Sequence, residues 1–181
     1  QGYRELSQEF GGTLAGGDTT RSAAGITINV TAIGRAADTH IKRRSGARPG
    51  DVIFTAGSLG ASGAGLRDIL AGRYDTPAAA VHRNPRPQVA EGVWLGQRHE
   101  VHAMMDISDG LSSELLHISK ESNVGCRVYE DRIPIDYQTA IMAEQFNMNL
   151  ITAALNGGED YELLFTVPLT DHDKVSEIKG I

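Results

Sequence analysis

Met104–Ser119 reads MMDISDGLSSELLHIS. An apolar run ends on Asp106, a second carboxylate follows at Asp109, and Gly110 comes directly after. Leu111, Leu115 and Ile118 then recur at i, i+4 and i+7, one stripe of an amphipathic helix. The pattern predicts a short strand over Ala103–Ile107 that runs straight into a helix N-terminus. Two readings fit that junction. In the first, Asp109 caps the helix and Asp106 is a solvated strand end. In the second, outward-pointing N–H groups and the helix dipole favour an anion there, and two carboxylates make sense if a cation bridges them to an incoming phosphate. Mg²⁺ suits such a place, because it takes one or two carboxylates, several waters and substrate phosphates. The alternating acids and long loop of an EF-hand are absent. Local pattern leaves both readings open.

Working outward, Tyr3–Phe10 has helical character and stops at Gly11-Gly12. ITINVTAIG (Ile26–Gly34) alternates β-branched and polar residues, which predicts a half-buried strand. Pro49-Gly50 supplies the fixed φ and then the positive φ of a type II turn, leading into a strand over Asp51–Thr55. GSLGASGAGLRDILAG is a glycine-punctuated helix, and the Pro-rich stretch from Thr76 to Pro87 reads as a loop. Gln88–Val101 is helical in character, VGCRVYE (Val124–Glu130) reads as a strand, and Tyr137–Phe146 as a helix. Asn149–Leu155 is a short helix or turn, and YELLFTVP is a final strand stopped by Pro168. Strands alternating with helices predict an α/β or α+β fold.

Composition narrows the function classes. The chain has 181 residues, 40% hydrophobic and 22% charged, which suits a packed core and argues against disorder. A net charge of −6 disfavours a nucleic-acid binder, and Lys42-Arg43-Arg44 is too short a basic run to reverse that. It does not exclude a small anionic ligand, since a few arginines and a metal can invert the local field. Cys126 is the only cysteine, so no intrachain disulfide or thiolate cluster forms, and a cytoplasmic location is compatible. No apolar run approaches a membrane span, and no signal-peptide pattern opens the chain. Its abrupt start and end read as a piece of a longer polypeptide.

Glycine is abundant, 21 residues, well above the usual ~7%. Two of its clusters precede acids: Gly16-Gly17-Asp18 and Gly157-Gly158-Glu159-Asp160-Tyr161-Glu162. Paired glycines let a backbone approach a ligand closely, while a plain turn remains the alternative for each. The second is the stranger, because a turn gains nothing from crowding like charges. GSLGASGAG lacks the Gly-Lys-[Ser/Thr] ending of a phosphate loop and the dinucleotide spacing. His99 and His102 have no HExxH pattern and read as surface or packing residues.

GGDTTR (from Gly16), RSGARPGD (from Arg44), MMDISDGLSSELLHIS and NGGEDYELLFTVP (from Asn156), in this order, resemble the thiamine-monophosphate kinases. That family belongs with aminoimidazole ribonucleotide synthetase, selenophosphate synthetase and the hydrogenase-maturation dehydratase. The resemblance covers nearly the whole chain, and DISDGL with GGEDYELLFT are its discriminating pieces. It implies an enzyme with ATP-dependent phosphorylation of thiamine monophosphate to thiamine diphosphate, Mg²⁺ as cofactor, and a homodimer for the full-length protein, with no nucleic-acid or membrane partner. It further implies the end of an N-terminal α/β half over residues 1–37 and most of a C-terminal α/β domain over 38–181.

Residue by residue, the resemblance makes Gly17 and Asp18 nucleotide contacts, with Asp18 also a metal ligand. Arg44 and Ser108 become ATP contacts, Asp106 and Asp109 metal ligands, and Glu159 a contact to the thiamine phosphate. Further acidic ligands of the family lie in a segment this chain lacks, so the 181 residues alone are expected to be catalytically silent. The competing expectations are another synthetase of the superfamily acting on a different acceptor, and a non-catalytic interaction module that keeps the fold.

Overall fold

The computed structural model describes residues 2–176. The chain divides into two units, Gln1–Ala36 and Ala37–Ile181. In the first, α1 (Gly2–Phe10) matches the expected helix. The remainder of that unit has no helix or strand, which overturns the strand expected over Ile26–Gly34. Ile26, Ile28 and Ile33 are 93%, 74% and 94% exposed. Alternation selects a buried face only where a neighbouring strand offers a ladder, and the unit's described residues contain no other strand.

The second unit is built on a three-stranded sheet. Its strands are β1 (Asp51–Thr55), β2 (Ala103–Asp106) and β3 (Leu163–Pro168), in the order β1-β3-β2 with both pairings antiparallel. The open sheet is short and does not close into a barrel. β3 takes the centre, and its sequence shows why: alternate residues are apolar on both sides of the pleat. Leu163, Phe165 and Val167 join Phe54, Met104, Leu95, Val101 and Val175 on one face. Leu164 joins Ala103, Met105, Ile107 and Ile53 on the other, where Leu111, Leu115 and Ile118 of α5 (Leu111–Ser122) cover them. A strand buried on both faces reads as a near-continuous hydrophobic run. Phe54 stacks on Phe165 across the first ladder, ring centres 5.5 Å apart.

One polar element crosses this core. Asp51 at the start of β1 accepts from Thr166 Oγ1 (3.1 Å) and lies 3.0 Å from His102 Nδ1. His102 is therefore a packing residue, paired within the sheet end.

The other helices form a cluster beside the sheet. They are α2 (Ala61–Leu70), α3 (Pro77–Arg83), α6 (Tyr137–Gln145) and α7 (Leu150–Asn156), sharing Ala64, Ala78, Met142 and Ala153 as their core. The second of these, α3, corrects the loop expected over Thr76–Pro87. Pro77 occupies the first helical turn, where its missing N–H has no partner to lose, and the Thr76 side chain accepts from Ala79 N at 3.1 Å. α4 (Val89–Gly96) is shorter than the helix expected over Gln88–Val101. α8 (His172–Ser176) closes the described chain.

The strand expected over Val124–Glu130 is also absent. Asn123 ends α5 in the left-handed conformation (φ 53°), Val128 and Tyr129 are exposed, and the segment pairs with no strand. Among the described residues no helix is long and apolar enough to cross a membrane.

Candidate functional site

β2 and β3 end together, and the chain beyond each end folds onto the other. Past the last pair, Asp106 with Leu163, Ile107 N donates to Glu162 O (2.9 Å) and Tyr161 N donates to Ile107 O (2.8 Å). Glu159 N then donates to Ser108 O at 2.7 Å. The two motifs that stand 50 residues apart in the sequence are one clasp.

The clasp is tight enough to exclude side chains. A Cβ on Gly158 would lie 2.8 Å from Ser108 O, and one on Gly110 would lie 2.7 Å from Leu155 O. Gly110 also needs φ 107°, which few other residues adopt. Glu159 and Tyr161 take left-handed φ values of 59° and 54° without being glycine. Such conformations cost of order 1 kcal/mol or more each and persist where surroundings over-determine them.

Inside the clasp, one buried carboxylate organises the turn. Glu114 is 1% exposed, and its Oε1 accepts from Ser108 N (3.3 Å), Ser108 Oγ (3.2 Å) and Asp109 N (3.0 Å). This corrects the expectation that Asp109 caps the helix. Gly110 holds the N-cap position of α5 and makes no side-chain cap bond, so Asp109 is turned outward while Glu114 reaches back from within the helix. Asp106 and Asp109 are both exposed, and neither carboxylate has a hydrogen bond or ion pair among the described residues.

The crowded acids of GGEDYE have three separate tasks. Asp160 accepts from Gly60 N (2.8 Å) and Ser62 N (3.2 Å), capping α2 from across the fold. Its carboxyl is raised above the usual range by burial, against the lowering effect of those two bonds. Glu162 accepts from Gln88 Nε2 at 2.8 Å and lies over Gly57. Burial first, then the charges of Asp160 and Glu91, push it up to about 7. Glu159 alone points out, with Oε2 3.5 Å from His82 Nδ1.

Two hollows flank the clasp. The first, about 530 Å³, has apolar walls that include Met142 and Met148, with Ser108, Asp109, Glu159, His82 and Arg67 among its polar groups. The second, about 620 Å³, is lined by Lys42, Arg43 and Arg44 opposite Met104, Asp106 and Glu121. The turn thus separates its own aspartates: Asp106 borders the basic hollow and Asp109 the apolar one. Arg44 stands with Asp106, and Ser108 with Asp109 and Glu159. Gly17 and Asp18 lie exposed in the first unit, where Asp18 Oδ1 accepts from Thr19 N at 2.7 Å.

The geometry excludes one tempting chemistry. Ser62 Oγ lies 2.9 Å from His82 Nδ1, and Glu159 approaches the same nitrogen. A nucleophilic triad needs serine and carboxylate on opposite ring nitrogens. As for a metal, no group of three or more His, Cys, Asp or Glu side chains that could hold an ion occurs among the described residues. Asp106 and Asp109 remain unpaired oxygen donors among the described residues but border different hollows, so in place of one cation bridging both, each fits an ion of its own whose other ligands are phosphate and water rather than a protein cage. Sequence reasoning missed Glu114, His82 and Ser62; only Glu114 left a signal, an acid shortly after a helix start.

Comparison with known proteins bears on the whole second unit. Residues 48–178 match the family model for AIR synthase related protein, C-terminal domain. The chain belongs to this family. Its α/β domain is therefore the C-terminal fold of the AIR synthase related proteins. Among curated proteins, the thiamine-monophosphate kinase of Methanospirillum hungatei is 36% identical over 186 residues, covering 97% of this chain and 60% of that one. That of Salmonella typhimurium is 41% identical over 165 residues, covering 86% of this chain and 48% of that one. The solved structure of AaThiL complexed with AMPPCP and TMP superposes with a TM-score of 0.64 and 35% identity over 69% of this chain and 41% of that one. The chain spans about half the length of the curated relatives it matches.

Proposed function

We propose that this AIR synthase related chain is the acceptor-side portion of a thiamine-monophosphate kinase, a cytoplasmic, homodimeric enzyme that phosphorylates thiamine monophosphate with ATP. The observation that carries the reading is the clasp. It presents Asp109 and Glu159 to one apolar hollow and leaves Asp106 beside three basic residues on its other side. The similarity to thiamine-monophosphate kinases and to a relative solved with AMPPCP and TMP supports it.

Phosphoryl transfer asks little covalent chemistry of a protein and much positioning and charge neutralisation. The apolar hollow suits an organic cation, with Glu159 as the counter-charge at its rim. Arg44, on the basic side, can offer two parallel hydrogen bonds to a phosphate, and the Ser108 hydroxyl can contribute a further one. Asp106 and Asp109 would hold Mg²⁺, which supplies neutralisation of the transferring phosphate when bound. In this reading Gly17 and Asp18 are nucleotide contacts, and Asp18 is also a carboxylate for metal.

A coupled ADP-release assay with thiamine monophosphate, ATP and Mg²⁺ tests the proposal on the full-length polypeptide carrying these residues. Turnover that falls at least ~100-fold in Asp109→Asn is the expected result. Turnover of a different acceptor in preference to thiamine monophosphate would overturn the substrate assignment. The 181 residues alone are expected to show none, because positioning for transfer needs every ligand at once.

A further inference from the structure

Both sides of the clasp converge on one side chain that no established role covers. Glu114 sits in the first turn of α5, 1% exposed, with three hydrogen bonds landing on a single oxygen. Its Oε2 is buried and has no hydrogen-bond partner among the described residues. An orphaned buried carboxylate oxygen costs free energy, so an acid at this place needs a compensating task. An apolar side chain of similar size would carry no such cost.

The bonding order shows what that task is. Glu114 fixes the amide of Ser108 and the amide of Asp109. Through the peptide between them, it also fixes the direction of Ser108 O. That carbonyl accepts from Glu159 N at 2.7 Å, and Glu159 is the residue held at φ 59°. Gly158 passes so close to Ser108 O that the two strands of the clasp can shift only together.

We infer that Glu114 is a positioning residue that sets Asp109 and Glu159 at once, through the Ser108–Asp109 peptide, and so couples the carboxylate offered to metal to the one offered to the acceptor within a single hollow. It touches neither ligand. The inference deepens the kinase reading and rests on it for its kinetic consequences, while the coupling itself is a property of the fold.

Three substitutions test it. Glu114→Gln keeps an oxygen acceptor for the three donors. Glu114→Leu removes it at similar size, and Glu114→Asp draws it back by one methylene. By NMR on the 181-residue chain, Gln should leave amide exchange at Ser108, Asp109 and Glu159 unchanged, whereas Leu should accelerate all three by at least ~10-fold. In the full-length polypeptide, Leu should raise both the Mg²⁺ concentration for half-maximal velocity and the KM for thiamine monophosphate by at least ~10-fold, with Gln within about threefold of wild type. A purely structural role would lower stability and move neither constant.

A folded Leu variant with unchanged Glu159 exchange and unchanged constants overturns the inference. So does a Gln variant as impaired as Leu. Should Leu fail to fold, Asp is judged by the same criteria. If wild type shows no turnover of thiamine monophosphate, the kinase reading fails on its own, and exchange at Glu159 still decides the coupling.

Discussion

Two stretches of this chain look alike on paper, Gly16-Gly17-Asp18 and Gly157-Gly158-Glu159-Asp160. Their surroundings differ completely. The first lies exposed in a unit whose described residues hold one helix, α1, and a Cβ on Gly17 would meet nothing within 4 Å. The second is threaded under Ser108 and Asp109, with Glu159 forced to positive φ and Asp160 locked onto α2. A glycine pair before an acid is therefore only an allowance for close approach. What makes it a constrained site is a framework that comes close, here the ends of β2 and β3.

The contrast can be broken most sharply at the glycines. Gly110→Ala must accept φ 107° and a contact of 2.7 Å with Leu155 O. Urea unfolding should show a loss of about 3 kcal/mol or more, against less than ~0.5 kcal/mol for Gly17→Ala. Equal losses at both places would erase the distinction.

Titration sharpens it next. Glu162 holds its proton up to about 7 when folded and releases it near the ordinary glutamate value of 4.5 when unfolded. Between these values the folded chain binds more protons, so stability falls as pH rises and levels off above 7. Allowing for the solvent that still reaches the group, the fall is on the order of 2 kcal/mol. Glu162→Gln should flatten that part of a stability–pH curve.

Caps give smaller effects. Asp160→Ala removes the carboxylate that receives Gly60 N and Ser62 N, at a cost of about 1.5 kcal/mol in thermal or urea unfolding. Asn149→Ala loses the 2.8 Å bond to Thr152 N that starts α7, the helix delivering Gly157, and should cost about 1 kcal/mol. Asp18→Ala, whose one bond is to the adjacent Thr19 N, should stay within ~0.5 kcal/mol of wild type.

Where the sequence pattern was self-sufficient, it located structure well. The turn at Pro49-Gly50, the strands over Asp51–Thr55 and up to Pro168, and the Leu111–Ile118 stripe were all legible, because each carries its own periodicity and stop signal. Gly50 takes φ 90°, as a type II turn asks. Patterns that need a partner misled. Ile26–Gly34 and Val124–Glu130 have strand composition and no ladder, which no window of sequence reports. α3 is hidden because proline reads as a helix breaker, although Pro77 stands where a helix tolerates one.

In the site, the residues at the clasp were legible and their relations were not. Nothing local distinguishes Glu159, Asp160 and Glu162, which are sorted by what the fold brings against them: His82, the end of α2, and Gln88. Nor could the pattern show that Asp106 and Asp109 border different hollows. The reach of Glu114 back to Ser108 depends on Gly110 turning Asp109 aside, a matter of one dihedral.

The strand order has a consequence for how the chain is made. β1 and β2 emerge from the ribosome early and do not pair with each other; both wait for β3 to slot between them. Asp51 meets Pro168 only once β3 has been synthesised. Until then two hydrophobic strand edges stand open, so nascent chains should depend on chaperone shelter, and the final insertion should set the pace of folding.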